Sequence, residues 1–310
     1  MGARIVNAAK CPMLPFPNIK NPRSSDAEAW YGERTIMIET RDKSPYPPVG
    51  LLLREWRAAR RMSQLDMALE CGMSARHLGF VETGKAQPSR DAVGRIADAL
   101  SLPLRERNAL LLAAGYAPQY AERELATPAL ERMRDAVDLI LQHQNPYPAF
   151  ILDRRFDVLG ANDGAMNINR FVMQGRESRH ANLLRQIFDP DDFRPVILNW
   201  PAVATGFLRR LHDHLAITPG DEFGQALLTE LLGYPGVPQE WRFRGIGSQI
   251  EPVLTLDFRS PAGPLRFFET ITTFAAPFDV TLDELQIDCA FPADELTASV
   301  CARLAAGERL

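Results

Sequence analysis

The sequence predicts two folded parts of different class: an all-α domain of five short helices, then an α+β domain built on an antiparallel sheet. Three observations carry this. Between Val49 and Gly115 apolar residues recur at helical spacing, and Ser or Pro starts and Gly stops follow one another closely. From Pro252 onward the pattern turns to strand-like alternation, interrupted by the turn Ser260-Pro261-Ala262-Gly263-Pro264. The 310 residues suffice for two domains, and the 46% apolar content suffices for two cores.

Residues 1–48 stand apart. Prolines recur at 12, 15, 17, 22, 45, 47 and 48 and helical periodicity is absent, so this stretch reads as a flexible arm. Met37 offers an alternative start, which would leave residues 1–36 outside the natural product.

The helical domain occupies 49–116. Leu51, Leu52, Leu53 and Trp56 open an amphipathic helix that also carries Arg54, Arg57, Arg60 and Arg61. Ser63 caps a helix from Gln64 to Cys71, and Gly72 ends it. Ser74 caps Ala75–Glu82, ended by Gly84; Ser89 caps a fourth helix running to Leu100. Pro103 starts a fifth, which runs to Ala114 and closes at Gly115.

A polar link, residues 116–126, leads to the second domain, 127–310. Thr127-Pro128 starts a helix that reaches about Gln144. Two strands, Ala149–Leu152 and Arg155–Ala161, follow. Helices fill Ala181–Phe188, Pro195–His214 and Asp221–Leu232. Strands Pro252–Arg259, Leu265–Phe274 and Glu284–Phe291 come next, with a last helix from about Asp294 to Ala306.

Composition excludes several function classes. A net charge of −4 rules out a uniformly basic nucleic-acid coat, though not a basic patch. The four cysteines, at 11, 71, 289 and 301, form no CxxC pair, which fits a reducing cytoplasm better than zinc or disulfides. No apolar run approaches the ~18 residues of a membrane span. The N-terminus carries neither a secretory h-region nor, with Val6 at the key position, a myristoylation motif.

Ser63 to Gly84 has the helix–glycine–helix form of a helix-turn-helix. Such a unit needs a small residue where the helices cross, and Ala68 supplies it; it needs a left-handed turn, and Gly72 supplies it. Its second helix must present polar side chains early, where the N-terminus enters the major groove. Ala75, Arg76 and His77 lie there, with Phe80 one turn on. From Gly50 to Arg90 the net charge is +3 against −7 for the rest of the chain, so DNA binding through this one unit is electrostatically sound.

This stretch resembles the Xre/Cro/phage-repressor helix-turn-helix family. The resemblance rests on Leu-Arg-Glu-Trp-Arg (53–57), Ser-Gln-Leu-Asp-Met-Ala (63–68), Ser-Ala-Arg-His-Leu (74–78), and Glu82-x-Gly84 followed by Pro88-Ser89. It implies that Gln64 touches a phosphate and braces the recognition helix. It implies that Ala75, Arg76 and Phe80 face base edges, with Lys85, Ser89 and Arg90 near the DNA backbone, and Ser74 at the helix start belongs to the same DNA-binding set. It also implies a buried Arg57–Glu82 pair, whose truncation typically costs ~3–5 kcal/mol. An arginine at position 76 would pair bidentately with guanine, worth ~1–3 kcal/mol of discrimination. His77 reads either as a phosphate contact or as a backbone-bonded histidine, and Phe80 either as a base contact or as core.

Catalytic motifs are thin. Gly245-x-Gly247 lacks a third glycine, and no GxSxG elbow occurs. His212 and His214, two apart on a helix, face different ways. Asp189, Asp191 and Asp192 around Pro190 read as a loop and cap, and Cys289 as a packed strand residue. Neither an enzyme, a cofactor nor a metal site is expected. Leu254, Leu256 and Phe258 share one strand face, Phe268 and Phe274 another, and Leu285, Ile287, Cys289 and Phe291 a third. This sheet, with one apolar face, either packs solid or encloses an apolar cavity.

From about Thr127 the chain resembles the ligand-binding domain of MmyB-like transcription regulators, a PAS-like fold. The carriers are Phe156-x-Val158-x-x-Ala161-Asn162, Asn182-Leu183-x-Arg185-x-x-Phe188, Asn199-Trp200, and Leu208-Arg209. Arg179-His180 and the two-proline stretch Gly233–Trp241 depart from the family pattern. The resemblance implies a fatty acid or similar apolar effector. Phe171, Trp200, Phe207, Leu211, Phe258 and Phe274 are the residues expected to line its pocket. The reading is therefore a cytoplasmic, homodimeric regulator that binds a double-stranded DNA operator. Its second domain senses an apolar effector, dimerises, or does both; the alternative is a second domain that binds a protein partner without a small ligand.

Overall fold

The computed structural model describes residues 48–242, 255–275 and 277–310. The arm, Cys11 and Leu254 lie outside them. Among the described residues, twelve α-helices and five strands follow in order. The helical half holds α1 (Val49–Ala59), α2 (Gln64–Glu70), α3 (Ala75–Glu82), α4 (Arg90–Ala99) and α5 (Leu104–Ala113). The sheet half holds α6 (Glu131–Gln144), β1 (Ala149–Leu152), β2 (Val158–Ala161), α7 (Asp163–Val172), α8 (Leu183–Phe188), α9 (Trp200–Ile217) and α10 (Glu222–Gly233). It ends with β3 (Thr255–Ser260), β4 (Gly263–Thr272), α11 (Val280–Glu284), β5 (Gln286–Pro292) and α12 (Glu295–Ala305). Both halves belong to one compact unit.

The helical half follows its local signals. Ser63, Ser74 and Ser89 each accept a backbone N–H three residues on, at 3.1–3.2 Å. Ser63 and Asp66 complete a reciprocal capping box, and these bonds hold the Asp66 carboxyl below its usual range. Leu53, Trp56, Met67, Leu78, Val81, Ile96 and Leu110 fill the core. Gly50 is required by a close approach: a Cβ there would lie 2.7 Å from the Val81 carbonyl oxygen.

The sheet is antiparallel throughout, in the order β2-β1-β5-β4-β3. Ser260 pairs with Gly263, so Pro261-Ala262 is a two-residue hairpin loop. The expectation of one apolar face needs correcting, because both faces are covered. Leu152, Phe258, Leu265, Phe267 and Ala290 pack with Leu184, Phe188, Trp200, Phe207 and Leu211. On the other side Ala149, Ile151, Ile287 and Cys289 pack with Val137 and Leu141 of α6. Phe268 and Phe291 stack at 5.4 Å across β4 and β5 on that second side. Strands buried on both sides read as near-continuous apolar runs, which blurs the alternation.

Several boundaries move for identifiable reasons. Strand Arg155–Ala161 begins only at Val158, because the Asp153 carboxylate accepts the Arg155 and Asp157 N–H groups and folds a turn there. Helix Ala181–Phe188 begins at Leu183, because Asn182 is its N-cap. Helix Pro195–His214 divides into a 3₁₀ turn, Arg194–Val196, and α9. Helix α7, absent from the sequence reading, starts at Asn162-Asp163-Gly164, a trio that also signals turns. Asn162 serves four partners: its Oδ1 accepts from Ala149 and Ala165, and its Nδ2 donates to Leu141 and Tyr147. Gly164 must be glycine, since a Cβ would meet the Pro146 carbonyl oxygen at 2.6 Å. The short α11, also unforeseen, fills residues 280–284, most of them in the gap between two expected strands, and takes only Glu284 from the second.

Candidate nucleic-acid interface and sensor interior

The recognition-type helix α3 is held from behind by one buried carboxylate. Glu82, 2% exposed, accepts from Arg57 Nε at 2.7 Å and Nη2 at 3.2 Å, and from Gln64 Nε2 at 2.7 Å. Arg57 Nη1 also donates to the Met62 carbonyl at 2.9 Å. One side chain thus ties α1, α2 and α3 together, and its desolvation is offset by three charge-assisted bonds. Gln64 acts here as a brace, as the resemblance implies.

The front of α3 is open. Arg76 and His77 are exposed, while Ala75 is half-buried against the core. Ser74 spends its hydroxyl on the His77 N–H, and the His77 ring itself faces outward. Phe80 lies on the surface, 37% exposed, with the Arg76 guanidinium 5.4 Å from its ring centre. Of the two readings of Phe80, the structure speaks against core packing. Lys85, Ser89 and Arg90 are exposed beyond the turn, where Gly84 adopts φ +71°. All nine candidate DNA-contact residues therefore fall between Gln64 and Arg90, and only Ala75 is partly withdrawn. Arg95, which the sequence reading passed over, donates to the Cys71 carbonyl at 2.9 Å and pins α4 to the turn.

The six candidate pocket residues do not form one group. Phe171, Trp200, Phe207, Leu211 and Phe258 belong to the core on the α9 side of the sheet. Phe274 belongs to the α6 side, so it is removed from any shared pocket. Trp200 is packed and satisfied: its Nε1 donates to the Ile187 carbonyl at 2.9 Å. Phe188 meets its ring edge-on at 5.8 Å, and Arg194 lies 3.6 Å over it. Phe258 sits between Phe193 and Phe267 at 6.4 and 6.3 Å. Neither the cavity of about 580 Å³ nor that of about 610 Å³ is lined by any of the six.

Charged groups on the α9 side of the sheet went unread in the sequence. Asp288 of β5, 4% exposed, faces Arg210 of α9 at 3.5 Å, and its Oδ1 has no hydrogen-bond partner among the described residues. Burial raises the Asp288 carboxyl. Burial and the nearby Asp288 charge raise Glu269 to about 7, against the pull of Arg210. His212 and His214 part company as expected: one meets the Trp241 ring, the other Asp221 at 3.6 Å.

A braced helix with an open polar front, in one compact unit with a larger sheet half, has the arrangement of a helix-turn-helix domain followed by a second domain. Residues 48–110 match the model of a helix-turn-helix domain. Residues 133–304, more than half of the chain, match the MmyB-like transcription regulator ligand binding domain, and the chain belongs to that family. No curated protein matches the chain. A solved RNA-binding light-oxygen-voltage receptor is similar at 12% identity and a TM-score of 0.23, over 86% of this chain and 64% of that one. A score that low carries no argument. Among the described residues, no helix is long and apolar enough to cross a membrane.

Proposed function

We propose that this regulator reads an operator as a homodimer through α3 and that its sheet domain binds an apolar, fatty-acyl-like effector that alters dimer geometry. The observation that carries the DNA part is the open front of α3, Arg76 with Phe80, backed by the Glu82 clamp. Ala75, Arg76 and Phe80 contact base edges, and Gln64, His77, Lys85, Ser89 and Arg90 contact the backbone. A dimer follows from size, since one short helix buries too little for useful affinity. Its two recognition helices would sit about 34 Å apart, one DNA turn. The effector shifts the equilibrium only by its differential affinity for the two geometries. We read no catalytic or cofactor role into the chain.

A second reading, a sheet domain that binds a protein partner and holds no small ligand, is favoured by one observation: Trp200 and Phe258 are already packed among their own neighbours. One experiment separates the two. The purified full chain is denatured, extracted with organic solvent and analysed by mass spectrometry. A stoichiometric acyl molecule supports the effector reading. An empty extract, together with operator affinity unchanged by saturating acyl ligands, rejects it in favour of the partner.

A further inference from the structure

We propose that the cleft between the helical half and the sheet half binds a small oxyanion-bearing ligand, a carboxylate or phosphate, through Arg154 and Arg210. The cleft has a volume of about 580 Å³ and is walled by both halves: Ser101, Leu102, Glu106 and Arg107 on one side, Arg154, Arg210, His214 and Glu284 among those on the other. Oxyanions suit it because its carboxylates mostly hold short bonds while the Arg154 guanidinium has only two long ion pairs. Asp98 is held by Arg107 at 2.6 Å. Asp283 accepts the Leu104 N–H at 2.9 Å and so caps α5, whose own N-cap, Pro103, makes no side-chain cap bond. Glu284 takes two bonds from Arg105, at 2.5 and 2.9 Å. Glu106 remains, and burial raises its carboxyl toward the neutral form.

Arg154 is the opposite case. Its side chain is 20% exposed, and among the described residues it makes no hydrogen bond. Asp221 and Glu284 pair with it only at 3.7 Å, longer than a hydrogen bond. Five fork-shaped donors left unmade at a cleft wall match a planar or tetrahedral oxyanion. Arg210 adds a second guanidinium over the Phe156 ring at 5.2 Å; its Nη2 donates to Gln286 Oε1 and its Nη1 meets Asp288 at 3.5 Å, so a ligand would share it with them. His214 Nε2, 3.6 Å from Asp221, adds a further nitrogen. A ligand seated there touches both halves at once, so its binding favours the docked arrangement that Leu104–Asp283 and Arg105–Glu284 already hold. This site is separate from the apolar interior and stands whether or not an acyl effector binds.

The test is calorimetric titration of the full chain with sodium phosphate and, separately, sodium succinate, at low chloride. The wild type is expected to bind at least one of them with a Kd of about 1 mM or tighter. The better probe tells which oxyanion class the cleft prefers. Arg154→Gln is expected to weaken binding by roughly tenfold to a hundredfold. Arg154→Lys, which keeps the charge near Asp221 and Glu284, guards against misfolding and is expected to fall in between. Melting curves without ligand establish that each variant folds. No binding of either anion by the wild type overturns the proposal, as does an Arg154→Gln chain that folds and binds like the wild type.

Discussion

In the helical half the candidate interface runs from Gln64 to Arg90, nearly all of it exposed, and the buried Glu82 holds it in place from behind. In the sheet half the charged groups on the α9 side come from three elements. Arg210 and Asp288 meet across 78 positions, and Glu269 joins them from β4. The first arrangement keeps its polar atoms bonded and turns its chemistry outward. The second leaves Asp288 Oδ1 without a hydrogen-bond partner among the described residues and two carboxyls raised by burial. Unsatisfied polar groups in a low-dielectric interior are costly. The comparison therefore places the satisfied buried charge in the helix-turn-helix half and the incompletely satisfied buried carboxyls in the sheet half.

The largest expected effects come from cutting either core. Trp200→Ala removes a ring packed against Phe188 and Arg194 and should cost about 3–5 kcal/mol in urea unfolding. Phe274→Ala, half-buried on the opposite side of the sheet, should cost about 1 kcal/mol; equal losses would put the two rings in one environment after all. Glu82→Ala should cost about 3 kcal/mol and abolish DNA binding together with folding of the helical half, because Arg57 and Gln64 lose their common partner. An unchanged unfolding midpoint would remove the clamp from the account.

The pH response should differ between halves. Glu269 titrates near 7 in the folded chain against 4.5 in its ordinary state, so the folded state keeps its proton where the unfolded state has lost it. Stability on its account is greatest below about 4.5 and declines as pH climbs through about 7. Glu269→Gln should flatten that decline and stabilise the chain above neutrality by about 2 kcal/mol, after allowance for the carboxyl's remaining solvent contact. A decline of the same slope in the variant would assign the effect elsewhere. The smallest expected effect is on the DNA backbone: Lys85→Ala should weaken specific and random duplexes alike and reduce the salt slope by about one.

How much of this was legible in the sequence depends on where the signal lies. Ser63, Ser74, Ser89 and the glycines after them act within three or four residues, so α2, α3 and α4 could be placed to within a residue. The open front of α3 was legible for the same reason, since polar residues early in that helix are neighbours in sequence. Helix α7 was missed because its cap, Asn162, sits in a trio that equally signals a turn, although Ala165, Ile168 and Val172 recur at helical spacing. The second apolar side of the sheet was missed because Phe267 and Phe268 are adjacent and point opposite ways. The misassignment of Phe274 follows from that. The Arg154 cleft had no local signature, since Glu106, Arg154 and Arg210 converge only through topology.

The central claim is that α3 reads bases through Arg76. The most direct measurement selects the operator from a random duplex pool, then compares wild type with Arg76→Ala on that operator and on a random duplex at one salt concentration. The account predicts a loss of about 1–3 kcal/mol on the operator, relaxed preference at one base position, and a much smaller loss on the random duplex. Equal losses on both duplexes would contradict it, leaving Arg76 a phosphate contact and α3 without a reader.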